Sequence, residues 1–213
     1  RNIICIRQRD FERARFLAIM KTQADRMARL IDDLLSLSRV ELTEHMHPET
    51  PVDLVPIVRQ VVDGLQTLAQ DRNVEIKIAQ SSEPMVVAGD RDELTRVFEN
   101  LAENALKYGA GGKRVDIGFS ERISADGAAE TLVAVRDYGP GIAAEHIPRL
   151  TERFYRVDVS QSRAEGGTGL GLALVKHILN RHRGKLTIES ETGHGATFTV
   201  RLPLIHSRDA EQS

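Results

Sequence analysis

Asn100, Asn104 and Lys107 recur at steps of four and three, so on a helix two amides and an ammonium fall along one border. Amide oxygens suit Mg²⁺, which takes oxygen ligands and keeps several waters, and a lysine beyond them reaches phosphate. Alone, the trio also reads as an ordinary polar flank. A second stretch, Asp137-Tyr138-Gly139-Pro140-Gly141-Ile142, closes a strand. A carboxylate there accepts a hydrogen bond from an exocyclic amine, and Gly139 and Gly141 admit a flat ring close to backbone; a plain turn is the alternative. The third, Gly166-Gly167-Thr168-Gly169-Leu170-Gly171-Leu172, runs into a helix, where free backbone N–H groups form a phosphate cradle.

Competing chemistries fit less well. Gly139 to Ala144 contains G-x-G-x-x-A, but no long helix opens on these glycines and no acidic residue follows on a second parallel strand. No G-x-x-x-x-G-K-[ST] or H-R-D segment occurs, which excludes P-loop and protein-kinase architectures by motif. Lone Cys5, between Ile4 and Ile6, reads as a small buried hydrophobe suited to a reducing cytoplasm. His45 and His47 read as solvent-exposed linker residues, with a metal pair as the alternative.

The elements that must position these groups follow from periodicity. Asp10 to Glu41 lacks Gly and Pro, and Met20, Ala24, Met27, Ile31, Leu34 and Ser38 make a heptad seam. Leu17, Leu30, Leu35 and Leu37 widen it toward packing in a multi-helix bundle, while packing on the chain's own domain is the plainer reading. A polar linker, Thr43 to Pro51, precedes alternating elements: helix Asp53–Gln70, strands Val74–Ala79 and Met85–Ala88, then a helix to Tyr108 with Asp90 as N-cap and Glu93 in capping-box spacing. On that helix Leu94, Val97, Phe98, Leu101, Ala105 and Tyr108 form the expected buried stripe. Strands Lys113–Glu121 and Glu130–Asp137 flank a turn at Asp126-Gly127. Helix Leu170–Arg183 and strands Lys185–Ser190 and Ala196–Leu204 complete a mixed sheet covered on one face by helices.

With 213 residues, 41% of them hydrophobic, the chain suffices for one core and a smaller appendage. A formal net charge of −2 provides no basic field for nucleic acid, which is excluded as the primary partner. The apolar cluster Ile3 to Ile6 falls far short of the roughly 20 residues of a membrane span and does not resemble a signal peptide.

Asn100–Tyr108 (NLAENALKY), Asp137–Ile142 (DYGPGI), Glu152–Arg156 (ERFYR) and Gly166–Leu172 (GGTGLGL), in this order, resemble the N, G1, F and G2 boxes of sensor histidine kinases. Gly193–Pro203 resembles the closing strand of their ATP-binding domain, and Phe16–Glu41 the second helix of their dimerisation and phosphotransfer domain. The texture is closest to the phosphate-regulon type. The resemblance implies an α+β chain: a two-layer α/β sandwich with a mixed sheet, the Bergerat-type ATP-binding fold, after a long bundle helix. It divides the chain into a partial dimerisation region at 1–47, a catalytic ATP-binding domain at 48–206 and a polar tail at 207–213.

Carried over by position, the resemblance makes Asn104 the Mg²⁺ ligand, Asn100 its support, Lys107 a phosphate contact and Tyr108 a neighbour of the nucleotide. Asp137 takes the adenine amine, and Gly139 and Gly141, with Ile142 beside them, shape the base pocket. Gly167, Gly169 and Gly171 flank the triphosphate, with Thr168, Leu170 and Leu172 of the same box counted in the site, below a lid at Val157–Gly166. Phe154 reads as a lid hinge; Arg153 and Arg156 read equally as γ-phosphate contacts or solvated surface residues. Gyrase, heat-shock chaperone and mismatch-repair relatives carry a water-activating Glu where this chain has Asn100, and an amide is no general base. Glu99 and Glu103 are expected to point elsewhere around the helix.

The family's phosphoacceptor histidine lies in an S-H-E-L-R-T-P-like segment, and no histidine of this sequence has those neighbours. The expectation is therefore the ATP-binding catalytic portion of a kinase that phosphorylates a histidine on another segment. Its partners would be Mg·ATP, a response regulator and a second copy through the long helix, in the cytoplasm, with the full-length protein anchored in a bacterial inner membrane. The alternative is a non-catalytic, ATP-responsive interaction module.

Overall fold

The computed structural model describes residues 2–43, 45–81, 83–124, 127–157 and 167–205, with side chains on the first helix from Arg13 onward except at positions 14 and 18. The Cys5 side chain, Asp126, the expected lid beyond Val157 and the tail 207–213 lie outside the described residues. The order is α1 (Asn2–Leu42), β1 (Pro51–Asp53), α2 (Leu54–Asp71), β2 (Glu75–Ile78), β3 (Val86–Ala88), α3 (Arg91–Tyr108), β4 (Arg114–Ile123), β5 (Ala129–Asp137), α4 (Gly171–Arg181), β6 (Lys185–Ser190) and β7 (Ala196–Pro203).

Five strands form one mixed sheet in the order β2-β4-β5-β7-β6, parallel only between β2 and β4. Alternation decides which side chains meet the helices. Along β5, Thr131, Val133, Val135 and Asp137 are buried, and β7 matches them with Ala196, Phe198, Val200 and Leu202. The same period that buries the valines therefore carries the Asp137 carboxylate to the covered end of the sheet. α2, α3 and α4 complete the core with one apolar face each; on α3 it comprises Leu94, Val97, Phe98, Leu101, Ala102, Ala105 and Leu106. Truncating a fully buried member such as Leu101 to Ala would cost about 2–5 kcal/mol. Tyr108, expected in this stripe, is only half-buried, and Leu106 takes its place.

β1, read as the end of a linker, pairs antiparallel with β3 in a separate two-stranded ladder. Asp53, expected to open the α2 helix, is its N-cap, and its Oδ1 accepts from both Val55 N and Met85 N at 3.0 Å. One carboxylate thus caps a helix and fixes the chain entering β3.

On one face α1 follows the plainer reading and packs on its own domain. Leu37 and Val40 enter the core and Leu30 packs against it, while Met20, Met27, Ile31, Leu34 and Leu35 remain exposed. Of the linker histidines, exposed His47 bonds through Nδ1 to the Arg181 carbonyl at 2.8 Å.

Candidate functional site

A cavity of about 370 Å³ opens between α3, the end of β5, the start of α4 and the side of α1. Asn100, Asn104, Lys107, Tyr108, Asp137, Gly141, Ile142, Arg156, Gly167, Thr168, Gly169, Gly171 and Leu172 all line it. Three expected site residues do not. Gly139 lies behind the wall, where a Cβ would fall 2.7 Å from the Gly109 Cα. Leu170 is buried in the core. Phe154, 62% exposed and at φ 62°, packs toward Leu30, Ile31 and Leu34 of α1, and its N–H bonds to the Gly169 carbonyl at 2.8 Å.

Asp137 is the buried acid of the cavity, 7% exposed. Burial raises its pKa, opposed by backbone donors from Gly139, 2.9 Å from Oδ1, and from Ala196. It is an acceptor in an apolar setting beside Ala196 and Phe198, the arrangement that selects an N–H donor on a flat ligand. Gly141 turns the chain away at φ 71°, where a side chain would be strained and its Cβ would meet the Glu191 carbonyl at 2.0 Å.

On α3 the Asn100 amide donates to the Arg96 carbonyl at 2.8 Å, and its Oδ1 faces Gly171, where an added Cβ would stand 2.3 Å away. A Cβ at residue 171 would have to displace the Asn100 amide, so a glycine here lets helix α4 begin close against α3 with that amide in place. Its N-cap, Leu170, supplies no side-chain hydrogen bond, so the positive end of α4 faces the cavity uncapped.

Lys107 pairs with Glu103 one turn back. Glu103 and Glu99 both line the cavity, contrary to the expectation that they point elsewhere, because α1 stands across from α3 and extends the pocket with Arg29, Asp32 and Asp33. Burial, then the neighbouring Glu103 charge, raises the Glu99 pKa. Arg156 lines the cavity and donates to the Gly167 carbonyl, whereas Arg153 turns away to Glu41 of α1.

Tyr155 was missed by motif reasoning, although it lies inside the ERFYR stretch. It lines the cavity with its hydroxyl 2.7 Å from His146 Nδ1 and the Arg149 guanidinium 4.2 Å above its ring. The α1 contribution carried no signal in the sequence, since it depends on contacts across 60 to 135 residues.

Residues 89–206, more than half of the chain, match the family described as histidine kinase-, DNA gyrase B- and HSP90-like ATPase. The chain is 39% identical over 198 residues to the phosphate regulon sensor protein PhoR of Pseudomonas aeruginosa, covering 93% of this chain and 43% of that protein. It is 36% identical over 191 residues to the sensor-like histidine kinase SenX3 of Mycobacterium bovis, covering 90% and 45%. The chain thus spans less than half the length of these relatives. Among solved structures, full-length ShkA in complex with AMPPNP matches with a TM-score of 0.72 at 29% identity, over 85% of this chain and 36% of that one. With its mixed five-stranded sheet under three helices, the chain belongs to the histidine kinase-, DNA gyrase B- and HSP90-like ATPase family and contains the ATP-binding domain of a histidine kinase.

Proposed function

We propose that this chain binds Mg·ATP in the cavity and donates the γ-phosphoryl group to a histidine carried on another segment. The observation that carries the reading is the combination, in one cavity, of a buried acceptor at Asp137 with the uncapped start of α4. Asp137 accepts from the adenine amine, with Ile142 beside the base. The first turn of α4 and the Gly167–Gly171 loop receive the phosphate chain. Lys107 and Arg156 balance its charge. The bound state of ShkA with AMPPNP, a nucleotide analogue, supports this assignment.

Asn104 and Asn100 fit Mg²⁺ as neutral oxygen donors at the phosphate side of α3. Among the described residues no three His, Cys, Asp or Glu side chains converge as a metal site, so a cation held here would depend on these amides together with the substrate and water. When bound, the cation neutralises charge developing on the phosphates. Positioning supplies the rest: an imidazole nitrogen attacks Pγ, the bond from Pγ to the β–γ bridging oxygen breaks, ADP leaves and the imidazole proton is lost to solvent.

The same reading makes the exposed Met20, Met27, Ile31 and Leu34 a contact face for a second copy, and a response regulator the acceptor downstream. No helix among the described residues is long and apolar enough to cross a membrane. We assign the domain to the cytoplasm, where ATP is supplied, and membrane anchoring to other parts of the full-length kinase.

To test transfer, the chain is incubated with Mg²⁺, γ-labelled ATP and a separate helical segment bearing a histidine of the sensor-kinase type. Acid-labile label on that segment, absent with Asp137→Asn, is the expected result. ATP binding without transfer would leave the chain a nucleotide-responsive module and overturn the kinase assignment.

A further inference from the structure

The C-terminal third of α1 lies against the nucleotide cavity. Leu37 and Val40 anchor it in the core. Arg96 of α3 pairs with Asp32 and donates to the Ser36 hydroxyl, and Arg153 reaches Glu41. Arg29, Asp32 and Asp33 consequently form the far wall of the cavity.

The Asp33 contact differs in kind. Its Oδ2 accepts from Thr168 Oγ1 at 2.7 Å, while that oxygen accepts from the Leu170 N–H at 3.2 Å. A threonine hydroxyl has one proton, so with Asp33 holding it Thr168 has none to give a phosphate oxygen. Asp32 is neutralised by Arg96, whereas Asp33 brings a carboxylate to the glycine loop where the phosphate chain would sit, and two anions at that distance repel.

We propose that Asp33 is a specificity-determining residue of the nucleotide site: it competes with the phosphate chain for Thr168, so docking of α1 and binding of ATP oppose one another. The inference rests on the Mg·ATP reading above. It sets how strongly the site prefers a triphosphate over a bare nucleoside, because adenosine does not reach Thr168. Coupling of this kind is reciprocal, so ATP must loosen α1 as much as α1 weakens ATP.

The test titrates the whole chain and its Asp33→Asn variant with Mg·ATP and with adenosine, while hydrogen exchange is followed across residues 29–42. Asp33→Asn leaves Thr168 only a neutral amide oxygen and removes the charge that faces the phosphate chain, so it should bind ATP about fivefold more tightly, the difference between a charged and a neutral acceptor, with adenosine affinity unchanged. ATP, but not adenosine, should speed exchange in α1 of the unmodified chain. Equal or weaker ATP binding by Asp33→Asn, an equal gain for adenosine, or ATP-independent exchange in α1 would overturn the proposal. If the unmodified chain binds neither ligand, the nucleotide reading itself fails; binding with no response to Asp33→Asn removes this inference alone. The exchange measurement needs no variant and decides the matter should Asp33→Asn fail to fold.

Discussion

Of the helices that line the cavity, α3 and α4 begin in opposite ways. α3 starts capped: Asp90 Oδ1 accepts from Asp92 N at 2.9 Å and Glu93 N at 3.1 Å. The N-cap's own N–H donates to buried His182 Nε2 at 3.0 Å, and Glu93, freed from the capping box, pairs with Arg181 at 2.6 Å. α4 starts at Leu170 with no side-chain cap, in a glycine-rich loop against Asn100. A helix start that only has to be stable is closed by side chains, while one that must receive an anion is left open.

Variants at the two starts should therefore separate binding from stability. The largest effect is expected at the open start: Gly171→Ala sets a Cβ against Asn100 Oδ1 and should weaken ATP binding by about thirtyfold, equivalent to about 2 kcal/mol, in a calorimetric titration. Its denaturant midpoint should move little by comparison. At the closed start the order reverses. His182→Ala removes a buried acceptor and leaves the Asp90 N–H without its partner, lowering unfolding free energy by about 2 kcal/mol in urea titrations with ATP affinity retained. Asp90→Ala loses the cap and should cost about 1 kcal/mol in the same measurement. A thirtyfold loss of ATP affinity from Asp90→Ala would erase the distinction between the two starts.

The smallest effect is a pH dependence. Burial lowers the His182 pKa below its ordinary value of 6.5, opposed by the Ile178 carbonyl and Glu93. The unfolded chain then takes up its proton first, so stability is intact above pH 6.5 and is lost as pH falls from there toward the lowered folded value. The slope cannot exceed about 1.4 kcal/mol per pH unit for one proton, and a His182→Gln variant should lack it in urea titrations from pH 7.5 to 5.5.

The closed start also marks the limit of what local sequence makes legible. Asp90 and Glu93 were readable as a capping pair because the motif is local, but the partner of the Asp90 N–H is 92 residues away. The same division runs through the site. Helical period, strand alternation and glycine pattern place Asn100, Asn104, Asp137 and the Gly167–Gly171 loop on their elements, the resemblance to sensor histidine kinases joins them in one site, and they line one cavity. The Asp33–Thr168 bond spans 135 residues and no periodicity encodes it. Glu99 and Glu103 were assigned away from the site on helix geometry alone, which cannot show that α1 supplies a second wall and widens the arc of α3 facing the cavity. The β1–β3 ladder escaped for a similar reason: β3 was readable as the strand Met85–Ala88, but its partner β1, three residues long, carries too little alternation to distinguish from a linker.

On the proposed function, Asp137 and the open start of α4 serve one nucleotide. Calorimetric titration of the folded chain and its Asp137→Asn variant with Mg·ATP and with adenosine tests it most directly. The parent is expected to bind both ligands and Asp137→Asn to lose both, because the base contact is common to them. Binding of ATP that survives in Asp137→Asn, or a folded parent that binds no nucleotide at saturating Mg·ATP, would contradict it.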